Sequence, residues 1–294
     1  MPERLGVIGL GFMGRPIAEN YLKKGYPVTI YDIRESVLKD MEALGATVAR
    51  SPLEVAKQSR FIFIVVPDEK TVKKLLWSKE GLAKGTAKSS VIIDMTTSDP
   101  SSSQKNEKKL ASLGIDHLDS PMTGGAIGAR NGQLLLMVGG KKEVFQRCEA
   151  LFAAISKGAI YMGPAGSGHL MKLIHNQLSH STFLASCEAV ALGEKLGLNR
   201  EMMIRVFNEG NARSYATEVR FPKFILPETY NIGATFATVY KDISIVKRVG
   251  NRARMKLPMN DCTYKYWKYP IDRGEGQEDF TKIVLKMREI LSKK

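Results

Sequence analysis

The start of the chain restricts it most. An apolar run, Leu5–Leu10, leads directly into Gly9-Leu10-Gly11-Phe12-Met13-Gly14, and a helical pattern follows over Met13–Lys24. Three glycines at that spacing allow a tight turn, a close approach of an anion to the backbone, and close packing of helix on strand. The helix N-terminus adds free N–H groups and the positive end of a dipole. A bare Gly-x-Gly-x-x-Gly also describes a flexible turn, so its context decides. Here it lies between strand and helix. Asp32 follows a second apolar run, Val28–Tyr31, and lies 18 residues after Gly14. That is near the spacing of about 20 at which an acidic side chain meets an adenosine ribose. The pattern predicts a dinucleotide site built from Gly9, Leu10, Gly11, Phe12, Met13, Gly14 and Asp32. NAD is the expected cofactor, because Asp32 opposes a 2′-phosphate. Arg34 is close enough to pair with such a phosphate, which leaves NADP possible.

The pattern continues in two halves. Strand-like runs at Phe61–Val66, Val91–Asp94, Asp116–Ser120 and Leu134–Val138 alternate with helical segments at Val37–Leu44 and Thr71–Trp77. Alternation of this kind, with continuous apolar strands, predicts an α/β fold: a doubly wound Rossmann domain whose parallel sheet is covered on both faces. From Ser167 onward helical periodicity dominates, over His169–Leu196, Met202–Phe207, Ala234–Arg248, Met259–Tyr269 and Ile283–Leu291. The break at Gly163-Pro164-Ala165-Gly166 sets the expected domains, 1–163 for the dinucleotide and 164–294 as an all-helical substrate and oligomerisation domain.

Composition removes several classes. No stretch approaches the roughly 20 apolar residues of a membrane-spanning helix, and no basic-then-apolar leader is recognisable at the N-terminus. Cys148, Cys187 and Cys262 are odd in number and far apart. They suggest neither disulfides nor a zinc site and read as buried small residues, so a reducing cytoplasmic setting is expected, with a processed organellar chain as the other possibility. The net charge is +14. A basic surface suits nucleic acid or the steering of anionic ligands. The lysines are scattered, and the segment Tyr264–Tyr269 reads as helix surface, which argues against a nucleic-acid partner.

With these segments in place, the chain resembles the β-hydroxyacid dehydrogenases, the family of 3-hydroxyisobutyrate dehydrogenase and tartronate semialdehyde reductase. Val7–Ala18 resembles the family's N-terminal signature. Asp119-Ser120-Pro121-Met122-Thr123-Gly124-Gly125 resembles its Asp-x-Pro-x-Ser-Gly-Gly segment, with Thr123 in place of the usual serine. Gly166-Ser167-Gly168-His169-Leu170-Met171-Lys172-Leu173-Ile174-His175-Asn176 resembles its Gly-x-Gly-x-x-x-Lys-x-x-Asn-Asn segment, with His175 replacing the first asparagine. Phe236-Ala237-Thr238-Val239-Tyr240-Lys241-Asp242 resembles a Phe…Lys-Asp segment, and Arg213-Ser214 matches a further position.

The resemblance implies hydride transfer between a nicotinamide cofactor and a small carboxylate-bearing 3-hydroxy acid or its semialdehyde, with Lys172 as general acid/base. It implies a substrate site of Thr123, Gly124, Gly125, Asn176, Arg213 and Lys241, where a hydroxyl and glycine N–H groups can nest a carboxylate. It adds Pro67 and Thr96, after strand ends, and Lys241 to the cofactor contacts, and it implies a homodimer or homotetramer. Lys172 and Asn176 are four apart and share a helical face. On its own Lys172 would read as a solvated surface charge, and Arg213 as half of a surface ion pair. His169 and His175 beside it lack the acidic neighbours of a metal site and read as packing or hydrogen-bonding residues. Three rivals stand beside this expectation. A nucleotide-binding sensor or scaffold would not need Lys172. Imine reductases usually carry another residue there. Phosphogluconate-type enzymes are longer and bind a phosphate for which no cluster is evident.

Overall fold

The computed structural model describes residues 3–292. The chain divides into two compact units, the first ending at Lys172 and the second beginning at Leu173.

The first unit is the expected doubly wound domain. Its strands are β1 (Leu5–Ile8), β2 (Val28–Tyr31), β3 (Thr47–Val48), β4 (Phe61–Ile64), β5 (Val91–Asp94), β6 (Asp116–Asp119), β7 (Met122–Thr123), β8 (Leu134–Gly140) and β9 (Ser156–Gly163). They form one sheet in the order β3-β2-β1-β4-β5-β6-β8-β7, with β9 beside β8. From β3 to β6 every pairing is parallel, and Ile8 lies level with Tyr31 on one side and Ile64 on the other. The order reverses about β1, the switch point at which such sheets open a ligand crevice.

Side-chain alternation explains the continuous apolar strands. Phe61 and Phe63 belong to a core with Ile17, Tyr21, Met41 and Phe152, from α1 (Gly14–Lys23), α2 (Glu35–Ala43) and α7 (Lys142–Ala153). Ile62 and Ile64 belong to another with Val55, Val72, Leu75 and Leu110, from α3 (Pro52–Gln58), α4 (Glu69–Trp77) and α5 (Pro100–Ala111). Both faces are thus buried.

Three features depart from the sequence expectation. The sheet is not wholly parallel: β8 runs antiparallel to β6 and β7, and β9, which no sequence pattern marked, is an eight-residue strand parallel to β8. The helices α3 and α5 are too short or too polar to show a clear apolar stripe. Capping starts them: Ser51 accepts the Glu54 N–H and Asp99 the Ser101 N–H, each just before a proline at the first helical position. After Thr123, Gly125 opens the short helix α6 (Gly125–Arg130), an element that no sequence pattern marked.

The helix α8 (Ser167–Lys195) runs through the division between the units. The second unit is helical, as expected, with α9 (Arg200–Glu209), α10 (Phe236–Arg252), α11 (Pro258–Asp272) and α12 (Ile283–Ser292). Its core gathers Phe183, Phe221, Phe236, Trp267 and Phe280, with Trp267 stacked 6.3 Å from Phe183. Trp267 therefore corrects the reading of Tyr264–Tyr269 as surface, since the α11 period turns Thr263, Trp267 and Pro270 inward. A π-helix over Ala216–Ile225, unforeseen because Pro222 interrupts the pattern, carries Arg220 into this core. Arg220 donates to the carbonyl and hydroxyl oxygens of Ser179 and lies over the Phe183 ring, and burial pushes its guanidinium down to about 10.

Candidate active site

The glycine loop differs at each of its three glycines. Gly9 turns the chain with φ of +89°, and a Cβ there would collide with the Val65 carbonyl. A Cβ on Gly14 would collide with the Gly9 carbonyl oxygen, so this glycine seats α1 against the turn. At Gly11 a Cβ would meet nothing within 4 Å. That open approach, beside the N-terminus of a helix with no acidic residue in its first turn, fits a pyrophosphate. Leu10 is buried and Met13 packs against the core, while the Phe12 side chain is exposed.

Asp32 is almost buried and is engaged by the loop itself. Its Oδ2 accepts the Leu10 N–H at 2.6 Å, its Oδ1 accepts the Arg34 N–H at 3.0 Å, and the Arg34 guanidinium donates to both oxygens at 2.9 Å. Burial works against its charge, but the bonds from the Arg34 side chain and the Leu10 and Arg34 N–H groups outweigh burial and hold the carboxyl below the usual carboxylate range. This pairing stabilises the fold above the titration of the unfolded carboxylate and is lost as pH falls through the depressed folded value. The spacing of Asp32 was legible in sequence, whereas its hold on the glycine loop through Leu10 was not.

The strand registers bring the ends of β1, β2, β4 and β5 to one edge. Gly9, Asp32, Pro67 and Thr96 follow those four ends. Pro67 is exposed, whereas Thr96 is buried with its N–H bonded to Asp94 at 2.9 Å. Thr123 is half-buried, and Gly124 and Gly125 are exposed at the start of α6.

Lys172 is half-buried on α8. Asn176, one turn further on, is buried, and its Nδ2 donates to Asp242 Oδ2 at 2.7 Å. Asp242, on α10, also pairs with Lys241, whose Nζ is 3.3 Å from Oδ1. Asp242, which the sequence marked only as the end of the Phe236–Asp242 segment, here orients one candidate residue and pairs with another. His175 Nδ1 lies 3.1 Å from Asn176 Oδ1. Arg213 is exposed, with Nε 3.6 Å from Glu218. Among the described residues no group of three or more His, Cys, Asp or Glu side chains is arranged to hold a metal. Cys148 and Cys187 are buried, which pushes both thiols up, Cys148 to about 12. Cys262 is exposed on α11 and corrects the expectation that all three are buried.

Two family descriptions match nearly the whole chain. Residues 4–163 match the NAD-binding domain of 6-phosphogluconate dehydrogenase, and residues 166–287 match the NAD-binding region of NADP-dependent 3-hydroxyisobutyrate dehydrogenase. The chain is 32% identical to 2-(hydroxymethyl)glutarate dehydrogenase of Eubacterium barkeri, covering 96% of this chain and 93% of that protein. It is 30% identical to 2-hydroxy-3-oxopropionate reductase of Escherichia coli, covering 96% of each. Mycobacterium tuberculosis 3-hydroxyisobutyrate dehydrogenase, in a structure with L-serine, superposes with a TM-score of 0.89 at 22% identity, over 98% of this chain and 100% of that one.

Two glycines of one loop should therefore fail differently. Gly11→Ala is expected to keep the melting temperature and weaken NAD binding, measured by calorimetry, by about tenfold or more. Gly14→Ala should lower the melting temperature itself. Equal effects of the two on stability would contradict the open approach at Gly11.

Proposed function

The chain belongs to the β-hydroxyacid dehydrogenase family, and we propose that it interconverts a small 3-hydroxy acid and its semialdehyde, with Lys172 as general acid/base. It is an oxidoreductase that binds a nicotinamide dinucleotide. The observation that carries the proposal is Lys172 one helical turn from an Asn176 whose amide is fixed by buried Asp242. A helix surface with no task has no use for a buried, oriented amide beside its lysine.

Residues 1–163 hold the dinucleotide in this proposal, and residues 164–294 supply Lys172, Asn176 and Lys241. When bound, the nicotinamide takes up or supplies the hydride. In the oxidising direction neutral Lys172 accepts the hydroxyl proton, and in reduction its ammonium protonates the nascent alkoxide. The Thr123 hydroxyl and the Gly124 and Gly125 N–H groups bind the substrate carboxylate. Asn176 orients the reacting group, and Lys241 adds positive charge for an anionic substrate or cofactor. Arg213 takes part only by leaving Glu218. Pro67 and Thr96 line the cofactor at the sheet edge.

NAD is the preferred cofactor in this proposal. Four donors occupy Asp32, and the half-exposed Arg34 side chain can leave to admit a ribose while the carboxylate opposes a 2′-phosphate. The enzyme is a homo-oligomer, dimer or tetramer, because Leu178 and Leu192 of α8, Leu196 just after it, and Met202 and Val206 of α9 are exposed along the second unit. Nucleic acid is not a partner in this reading. Among the described residues no helix is long and apolar enough to cross a membrane. With its described cysteines free, a cytoplasmic setting belongs to the same proposal.

Lys172→Ala should lower kcat about a hundred- to ten-thousandfold on a panel of short 3-hydroxy acids, followed as NADH absorbance, with NAD affinity nearly unchanged. Full activity without the amine would sink the acid/base assignment. Asp32→Ala should raise the ratio of kcat/KM with NADP to that with NAD by about tenfold, a differential of roughly 1.4 kcal/mol; an unchanged ratio would remove Asp32 from cofactor choice. Light scattering at micromolar concentration should give a multiple of the chain mass, and a monomer would refute the assembly.

A further inference from the structure

We propose that Asp119 is the positioning residue for Lys172, acting as a cap supplied to α8 from outside the helix; this rests on the acid/base role proposed above. The first N–H groups of a helix have no partners within it. Before α8 stands Gly166, with φ of +91°, which has no side chain to accept them. The acceptor comes from the end of β6, 47 and 50 residues earlier in the chain. Asp119 Oδ1 accepts the Gly166 N–H at 2.7 Å and Oδ2 accepts the His169 N–H at 2.8 Å. Asp119 is fully buried, and a buried carboxylate depends on the donors that face it. Its charge also suits the positive end of a 29-residue helix.

The surroundings are shaped for this contact. A Cβ on Gly139 of β8 would lie 2.8 and 2.9 Å from the two Asp119 carboxylate oxygens and 2.8 Å from the Gly168 N. A Cβ on Gly168 would collide with the Met137 carbonyl and come within 2.7 Å of the Asp119 carbonyl oxygen. Only bare backbone fits on either side of the carboxylate. From α5, Ser103 Oγ lies 2.6 Å from His169 Nδ1, both buried, so the same turn is held at a second point.

Lys172 follows His169 by one turn, and side chains on a helix lean toward its N-terminus. The turn that Asp119 fixes is therefore the turn over which the Lys172 side chain lies. Asp119 also opens the segment that runs through Ser120 and Pro121 to Thr123, Gly124 and Gly125. One carboxylate thus sets the proposed proton-transferring amine in register with the proposed cradle for the substrate carboxylate. Misplacement of a reacting group by about 1 Å can cost on the order of a hundredfold in rate.

The test is a double-mutant cycle in the intact protein with NAD and the best 3-hydroxy acid of the panel. Asp119→Asn keeps the shape but turns one acceptor into a donor facing an N–H. It should lower kcat at least about tenfold with NAD affinity unchanged, and cost less than about twofold when added to Lys172→Ala. Amide hydrogen exchange at His169 should quicken at least tenfold while β1 stays protected. Should Asp119→Asn fail to fold, Gly139→Ala presses on the same carboxylate and should shift kcat and His169 exchange in the same direction. Equal losses in the two backgrounds, or unchanged exchange at His169, would overturn the role of Asp119 while leaving Lys172 in place. Full activity of Lys172→Ala alone would instead remove the acid/base reading on which the proposal stands.

Discussion

In β4, Phe61 and Phe63 meet one layer of helices while Ile62 and Ile64 meet the other, and all four are buried. A strand buried on both faces must satisfy its backbone within the sheet, which makes β1, β4 and β5 neighbours in parallel register. Parallel register forces each connection to return to the same end, so the turns after β1, β2, β4 and β5 share one edge. The glycine loop, Asp32, Pro67 and Thr96 lie at that edge for this reason. The site in the first unit follows from how its core is covered.

Buried carboxylates do the local work of orientation. Asp32 accepts the Leu10 N–H and so shapes the glycine loop, Asp119 accepts the Gly166 and His169 N–H groups at the start of α8, and Asp242 accepts the Asn176 amide. In each case a buried charge is compensated by hydrogen bonds whose geometry then becomes hard to change. A side chain held in this way loses little further freedom when a ligand arrives, which is the physical content of preorganisation.

Much of this was legible from residue order. β5 was bounded correctly, and α8 nearly so, because a short apolar run set between polar residues and a long periodic segment leave little choice. The strand–glycine–helix context of Gly9–Gly14 correctly placed β1, the glycine turn and α1 in succession. Other elements were harder to see. α7 carried a usable signal, with Val144, Phe145, Cys148, Leu151 and Phe152 at helical spacing. β9 did not, since its burial is irregular and glycines stand at Gly158 and Gly163. Trp267 was misread because the lysines and tyrosines around it resemble a surface stretch, although the helical period turns it inward.

The sequence by itself determined the class of fold, the strand–glycine–helix turn at Gly9–Gly14 and the place of Lys172 and Asn176 one turn apart on one helix, because each depends on neighbours within a few residues or on a short periodic pattern. Tertiary structure decided which partner each polar side chain takes. Asp119 reaches α8 across 47 and 50 residues, and Asn176 reaches Asp242 across 66. Contacts at such separations leave no spacing to read along the chain. They exist only after the sheet and the helices have packed, when a buried donor must find the acceptor that lies within reach.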